Sequence, residues 1–356
     1  MGWLEQLEQQ AAARLPDYVH DYFRCGAGTE TTLREDLAAW ARPRLRPRVL
    51  RDVSRISTAT TVLGTPVDTP VLAAPTAQQV AAHPGGEAET AKGAAAVGSL
   101  VGVSTNTGVR FADIAAGGAP WWYQVYVMRD RGLTAELVRR ASAAGAGALL
   151  LTVDLPVVGR REGVADPTSW ADESRANRRA NFHGIDLTAL PADATATAPD
   201  IGPDTIGWLR ELSGLPVLVK GVLRGDDARR CVAAGAAGVV VSTHGGRQLD
   251  RSVPAARALP EVAAALAEER GPDGAPAETY VDSGLRRGED VLVALALGAR
   301  AVFVGRPVLW GLATGGSGGV ADVLGRLTAE LAGAMALTGA PTCAEIGPDL
   351  LFDPGT

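Results

Sequence analysis

PVLVKGVLRGDDARRCVAAGAAGVVVSTHG, residues 216–245, holds a strand, a helix and a second strand in one stretch of chain. Its two ends are short apolar runs rich in valine. Its middle carries apolar residues at three- and four-residue spacing and closes with glycine just before the next run. The same unit recurs outward in both directions. VLAAPTA (71–77), LVGVSTN (100–106), WWYQVYV (121–127) and ALLLTVD (148–154) precede it, and TYVDSG (279–284) and AVFVGRP (301–307) follow, which makes eight strand-like runs. Helical stretches with the same closing glycine fill 132–147 and 287–299. Alternating strand and helix implies a parallel sheet. Eight such units favour closure into a (β/α)8 TIM barrel over an open doubly wound sheet, and no G-x-G-x-x-G follows the first run to support a dinucleotide fold.

Two parts stand outside the repeat. Residues 1–70 carry an amphipathic helix near 4–14, a helical run from Leu15 to Ala27 and a strand-like pair around Thr58–Val67, together an N-terminal helical cap. The long connection after the fourth strand, about 157–203, is polar, contains Pro and Asp, and includes SRANRRANF (174–182). Connections of this length in a compact domain are usually functional loops or lids. The expected organisation is a single domain over 1–356, with the cap at 1–70, the barrel at 71–356 and the lid within it.

Composition narrows the partners. A net charge of −6, with lysine and arginine scattered, argues against a nucleic acid or a membrane surface. Cys25, Cys231 and Cys343 are odd in number and have no metal-like spacing, which suits packing roles in a reducing compartment and predicts no metal site. The opening MGWLEQLEQQAAARLP has no apolar signal core, and no run reaches the roughly 18–20 apolar residues of a membrane span. A soluble cytoplasmic protein is expected.

Barrel active sites form where strands end, so polar residues there are read first. Gln124 and Tyr126 share one face of the third run, and Thr152 and Asp154 share one face of the fourth. Lys220 ends an otherwise apolar run, where an unpaired ammonium is costly unless a ligand or carboxylate meets it. His244 follows the sixth run, with paired glycines and Arg247 beside it, a placement that suits a general base near Asp154. Gly-rich turns after the last two runs, with Arg286 and Arg306, match the usual phosphate position of barrels.

These residues resemble the FMN-dependent 2-hydroxy-acid oxidases and dehydrogenases, which include glycolate, lactate and mandelate oxidases. The likeness runs over nearly the whole chain. It is carried by STHGGRQLD (242–250), LTVDLPVVGRRE (151–162), WYQVYV (122–127), LVKGV (218–222), APTA (74–77) with AHPGGE (82–87), and DSGLRRG (282–288) with VFVGRPV (302–308). The resemblance implies that FMN oxidises an (S)-2-hydroxy acid to the 2-oxo acid and that O2 then reoxidises the flavin, giving H2O2. It also implies that His244 is the base, with Asp154 steadying the imidazolium. Arg161, Arg247 and Tyr22 would hold the substrate carboxylate, and Tyr126 would contact the hydroxyl. For FMN, it assigns Pro75, Thr76 and Ala77 to the ring near N5, Ser104, Gln124 and Thr152 to ring heteroatoms, and Lys220 to N1 and O2. Asp282, Gly284, Arg286, Gly305 and Arg306 would hold the ribityl and phosphate.

The sequence also departs from the common pattern. Thr243 stands where Asn is usual, Ser283 where Gly is usual and Arg251 where Gly commonly follows the Asp. Asn106 occupies a position where glycolate-oxidase-like members carry Trp. These changes leave substrate size and oxidant open. In the lid, Trp170 and Phe182 are candidates for shaping an aromatic pocket. Family members commonly form tetramers or larger homo-oligomers. A dehydrogenase using another electron acceptor is the alternative. A different FMN barrel, such as a type 2 isopentenyl-diphosphate isomerase, explains the phosphate turns but not Arg161, His244 and Arg247 together.

Overall fold

The computed structural model describes residues 2–164 and 180–352. The strands are β1 (Val71–Ala73), β2 (Val101–Val103), β3 (Trp121–Val125), β4 (Leu149–Thr152), β5 (Val217–Val222), β6 (Gly238–Val241), β7 (Glu278–Val281) and β8 (Ala301–Val304). Each lies parallel to its neighbours in sequence, and β8 closes on β1 through Val302↔Val71, Phe303↔Leu72 and Val304↔Ala73. The sheet is therefore a closed barrel and not an open one.

Side-chain alternation explains both its packing and its chemistry. Residues of one parity, among them Leu72, Leu100, Trp122, Leu150, Leu218, Val240, Tyr280 and Phe303, fill the barrel as one buried cluster. The Trp122, Tyr280 and Phe303 rings meet there with centroids 5.4, 5.9 and 6.1 Å apart. The other parity, including Val71, Val101, Leu149, Val217, Val239 and Val302, joins the larger core under the helices. Followed toward the C-terminal mouth, the inward parity becomes Ala74, Ser104, Gln124, Thr152, Lys220, Ser242 and Asp282. Strands that pack the barrel floor thus deliver a polar layer above it. Gly102 has the same parity, and a Cβ there would stand 2.6 Å from Cδ of Pro75, so only glycine lets the first turn close over β2. A hairpin, Thr60–Val62 with Thr65–Val67, places Val62 and Val67 in the interior cluster. The Leu63 amide donates to Glu278 at the start of β7, which sets this plug at the end opposite the mouth.

The cap holds α1 (Trp3–Ala12), α2 (Asp17–Arg24) and α3 (Thr31–Trp40). The second helix is shorter than the run Leu15–Ala27, because Pro16 caps it and Cys25 is already extended. The third was not expected from the sequence. It anchors the cap to the mouth: Asp36 accepts from the Ala255 amide (3.0 Å) and from the Thr243 hydroxyl, and the Trp40 indole donates to the Ser283 carbonyl (2.8 Å). Burial is the main reason the Asp36 carboxyl is pushed up to about 6.

After β4 the chain runs irregularly, with short 3-10 turns at Ala180–Phe182 and Leu187–Ala189. Trp170 and most of SRANRRANF fall outside the described residues. Phe182 corrects the expectation made for it: it is buried in the main core, where neighbouring Asn181 binds the Phe111 amide and the Val109 carbonyl, and it does not line the mouth. Among the described residues no helix is long and apolar enough to cross a membrane.

Candidate active site

The C-terminal mouth encloses a cavity of about 330 Å3 lined by residues from the cap, the strand ends and the loop after β4. His244 sits in a turn where His244, Gly245 and Gly246 all have positive φ, of 59°, 66° and 71°. Two glycines make that conformation accessible; histidine tolerates it at a modest cost. The turn aims the imidazole along the mouth. Its Nδ1 lies 2.9 Å from Asp154 Oδ1, and its Nε2 lies 3.2 Å from the Tyr126 hydroxyl. A carboxylate on Nδ1 fixes the tautomer in which Nδ1–H donates and Nε2 accepts.

Asp154 does not line the cavity but backs the imidazole, and its Oδ2 has no hydrogen-bond partner among the described residues. Burial opposes its charge, yet His244 and Lys220 outweigh burial and hold the carboxyl below its usual range. Gly221, at φ 105°, is required here, since a Cβ would come within 2.6 Å of Asp154 Cβ. Burial and then the Asp154 charge push the Tyr126 phenol well up, so it stays a proton donor throughout the working pH range.

The other wall is cationic. Guanidinium carbons of Arg247 and Arg161 lie 4.8 and 5.2 Å from the centre of the Tyr22 ring. Arg247 Nη1 donates to the carbonyls of Tyr22 (2.7 Å) and Cys25 (3.0 Å), where α2 ends. Gln248, for which the sequence alone suggests no role, accepts the Gly159 amide at 2.8 Å and so pins the segment that carries Arg161. A Cβ at Gly159 would meet the Arg247 carbonyl at 2.5 Å, so this close crossing requires glycine.

Deeper in, Lys220 Nζ lies 3.0 Å from Asp282 Oδ2 and donates to Ser242 Oγ at 2.9 Å. Burial works against this ammonium, but Asp282 and Asp154 prevail and raise its pKa. Gly305 caps α4 (Arg306–Thr338), a 33-residue helix interrupted at Gly316. Beside that helix start, Arg306 donates to the carbonyls of Phe23, Cys25 and Gly245, and Arg286 to that of Leu285. Burial, then Arg247 and Arg286, push Arg306 down to about 9. Two half-buried guanidiniums bonded to carbonyls rather than carboxylates, beside a long helix's N-terminus, fit a multiply charged anion such as a phosphate monoester.

Pro75, Thr76, Ala77, Ser104, Lys220, Asp282, Gly284, Arg286, Gly305 and Arg306 all line the cavity, as do Tyr22, Tyr126, Arg161, His244 and Arg247. Gln124 and Thr152 do not. Gln124 accepts from Ser104 Oγ (3.3 Å) and the Thr105 amide (3.2 Å) and donates to Thr152 Oγ1 (3.0 Å), which places both residues behind Ser104.

Glu87, in AHPGGE, is fully buried, and neither carboxyl oxygen has a partner in hydrogen-bond geometry among the described residues. Burial pushes it up to about 7, only partly offset by the nearby Thr107 hydroxyl and Gly108 amide. A raised folded-state pKa means the folded protein binds the extra proton, so this contribution is present below about 4.5 and is lost as pH rises through about 7. Glu87→Gln should melt like the parent at pH 4.5 and be more stable at pH 8, by up to about 3 kcal/mol. Equal melting curves at both pH values would show that Glu87 does not titrate in this window.

Cationic side chains on two sides of the mouth with a histidine between them could hold an anionic cofactor and an acidic substrate and take up a proton. The FMN-dependent dehydrogenase family model matches residues 11–353. An L-lactate oxidase of Nostoc sp. is 43% identical over 98% of this chain and 97% of its own, and a peroxisomal (S)-2-hydroxy-acid oxidase of Oryza sativa subsp. japonica is 42% identical over 96% and 93%. Among solved structures, a mandelate oxidase superposes with a TM-score of 0.82 at 39% identity, covering 96% of each chain. A Pediococcus acidilactici protein described as a (putative) lactate oxidase reaches 0.90 at 35% identity, covering 99% of this chain and 95% of its own. The chain belongs to the FMN-dependent dehydrogenase family.

Proposed function

We infer that this protein is an FMN-dependent 2-hydroxy-acid oxidase, acting on an (S)-2-hydroxy acid with O2 as electron acceptor. The observation that carries the chemistry is the placement of His244 Nε2, 3.2 Å from the Tyr126 hydroxyl and on the same cavity as Arg161 and Arg247. When bound, FMN supplies a two-electron acceptor that O2 regenerates, yielding H2O2. Arg286, Arg306, Gly284, Gly305 and Asp282 would hold its phosphate and ribityl, Lys220 would supply positive charge to the ring, and Pro75, Thr76, Ala77 and Ser104 would line the rest. Gln124 and Thr152 support that wall from behind.

The substrate carboxylate is clamped by Arg161 and Arg247, with Tyr22 between them, because planar guanidiniums match a carboxylate in two-point fashion. Tyr126 donates to the substrate oxygen. His244 Nε2 takes the proton released as the 2-hydroxy acid becomes the 2-oxo acid, and Asp154 stabilises the resulting imidazolium. The three free cysteines favour a reducing, cytoplasmic compartment. Exposed Val49, Leu50 and Leu337, on segments joined by the hydrogen bond from the Arg48 amide to the Thr338 carbonyl, favour self-association into a homo-oligomer.

The test is an anaerobic visible spectrum of the holoprotein before and after addition of 2-hydroxy acids from glycolate to 4-hydroxymandelate. One member should bleach the flavin, and readmitted air should restore the colour with formation of H2O2. A bound flavin that no hydroxy acid bleaches would overturn the reaction. Asn106, on the cavity wall with its amide held by Ser104 Oγ at 3.1 Å, sets the room for the substrate side chain. Asn106→Trp should lower kcat/KM for the bulkier of two accepted substrates at least about tenfold more than for the smaller. An unchanged ratio would place that side chain elsewhere.

A further inference from the structure

Gln248 stands between the two arginines assigned to the substrate carboxylate. Its backbone follows Arg247, its side chain reaches Gly159, two residues before Arg161, and the half-buried residue lines the cavity. A primary amide has one accepting end and one donating end. The Gly159 amide can only donate, so the 2.8 Å bond fixes Oε1 on Gly159 and turns the Nε2 end away from it. Among the described residues Nε2 has no hydrogen-bond partner. Anchoring Gly159 does not account for the whole side chain, because that segment is also held from other sides. The Gly28 amide donates to the Arg160 carbonyl at 2.9 Å, and a Cβ at Gly159 would stand 2.5 Å from the Arg247 carbonyl oxygen and 2.6 Å from that of Gln248.

We propose that Gln248 is a substrate-binding residue, its Nε2 donating to the substrate carboxylate beside Arg161 and Arg247. The inference rests on that wall being the carboxylate site. Donors predominate there: Arg247 gives only Nη1 to the cap carbonyls, and the Arg161 guanidinium lies over the Tyr22 ring. The one carboxylate among the described residues that line the cavity, Asp282, is taken up by Lys220 on the cofactor side. A neutral donor adds a hydrogen bond to the anion without adding a third like charge beside two guanidiniums, and its orientation is set before the substrate arrives.

Gln248→Met and Gln248→Glu separate the two ends of the amide. Methionine is of similar length and removes both, whereas glutamate keeps an acceptor for Gly159 and replaces the donor with a negative charge. Holoenzyme of the parent and of each variant is compared by steady-state kinetics, with a 2-hydroxy acid and with the corresponding amide, and by FMN content. With the acid, Gln248→Met should raise KM about ten- to a hundredfold with kcat within about twofold, as loss of a hydrogen bond to a charged group predicts. Gln248→Glu should raise it further, because its charge repels the carboxylate. With the amide, Gln248→Met should keep kcat/KM within about threefold of the parent, and FMN content should be unchanged throughout. A parent-like KM for the acid in either variant would overturn the proposal. So would an equal loss with acid and amide in Gln248→Met, which would leave the side chain only its anchor on Gly159. Failure of the carboxylate reading is seen separately, in the parent, as no preference for the acid over its amide.

Discussion

His244→Ala should lower turnover by about a hundred- to ten-thousandfold while FMN stays bound, because general-base assistance is worth that much and the substitution leaves the cofactor cradle intact. The groups assigned to the phosphate, Arg286 and Arg306, form their hydrogen bonds with the carbonyls of Phe23, Cys25, Gly245 and Leu285, not with the imidazole. Lys220 is held by Asp282 and Ser242. Loss of the imidazole does strand the Asp154 carboxylate, whose Oδ1 then loses its partner while Oδ2 already has none. Asp154 should therefore rise toward or above its ordinary pKa in the variant, since His244 is the leading influence that lowers it against burial. Stopped-flow reduction under anaerobic conditions separates the outcomes. Slow reduction with full flavin content supports the base, and parent-like reduction removes His244 from that role. Asp154→Asn should give a smaller loss, because it removes the charge that steadies the imidazolium but leaves the base in place.

The barrel was legible because parallel strands covered on both faces read as apolar runs, and because glycine closes each helix before the next strand. The candidate site was legible for a related reason: inward parity puts a polar residue at the end of an apolar run, as Lys220 does in VLVKGV, and no packing need explains it there. What escaped depends on contacts between distant parts of the chain. Helix α3 follows Glu30, an N-cap residue in a left-handed conformation with no side-chain cap, so TTLREDLAAW carries no start signal although it delivers Asp36 and Trp40 to the mouth. Ser283 and Gln248 act on the amides of Thr243, Gly245 and Gly159, at separations of 40, 38 and 89 residues that no local pattern encodes. Phe182 was misread because an aromatic residue in a loop looks available, whereas its neighbour Asn181 bridges to Val109 and Phe111 and carries it into the core.

Arg247→Lys should lower kcat/KM about a hundredfold, chiefly through KM, even though the charge is kept. The reason lies in how the guanidinium is divided. Nη1 is committed to the carbonyls of Tyr22 and Cys25, while Nε and Nη2 are unengaged among the described residues, which leaves one edge of the fork for a carboxylate. A lysine has one donor head and cannot serve both at once. It must either abandon the cap, loosening the end of α2 over the cavity, or abandon the substrate. Loss of one partner in a buried, hydrogen-bonded charge pair costs about 2–5 kcal/mol, and tenfold corresponds to about 1.4 kcal/mol, so a hundredfold lies at the modest end. Arg161→Lys should cost less, because Arg161 is partly exposed and its segment is pinned independently through Gly159 and Gln248. Measuring each variant with a 2-hydroxy acid and with the corresponding amide tells the two roles of Arg247 apart. If the arginine acts on the anionic charge, the variant loses rate with the acid and little with the amide. An equal loss with both would mean that its bonds to Tyr22 and Cys25, and so the seating of the cap over the mouth, are what the enzyme requires of it.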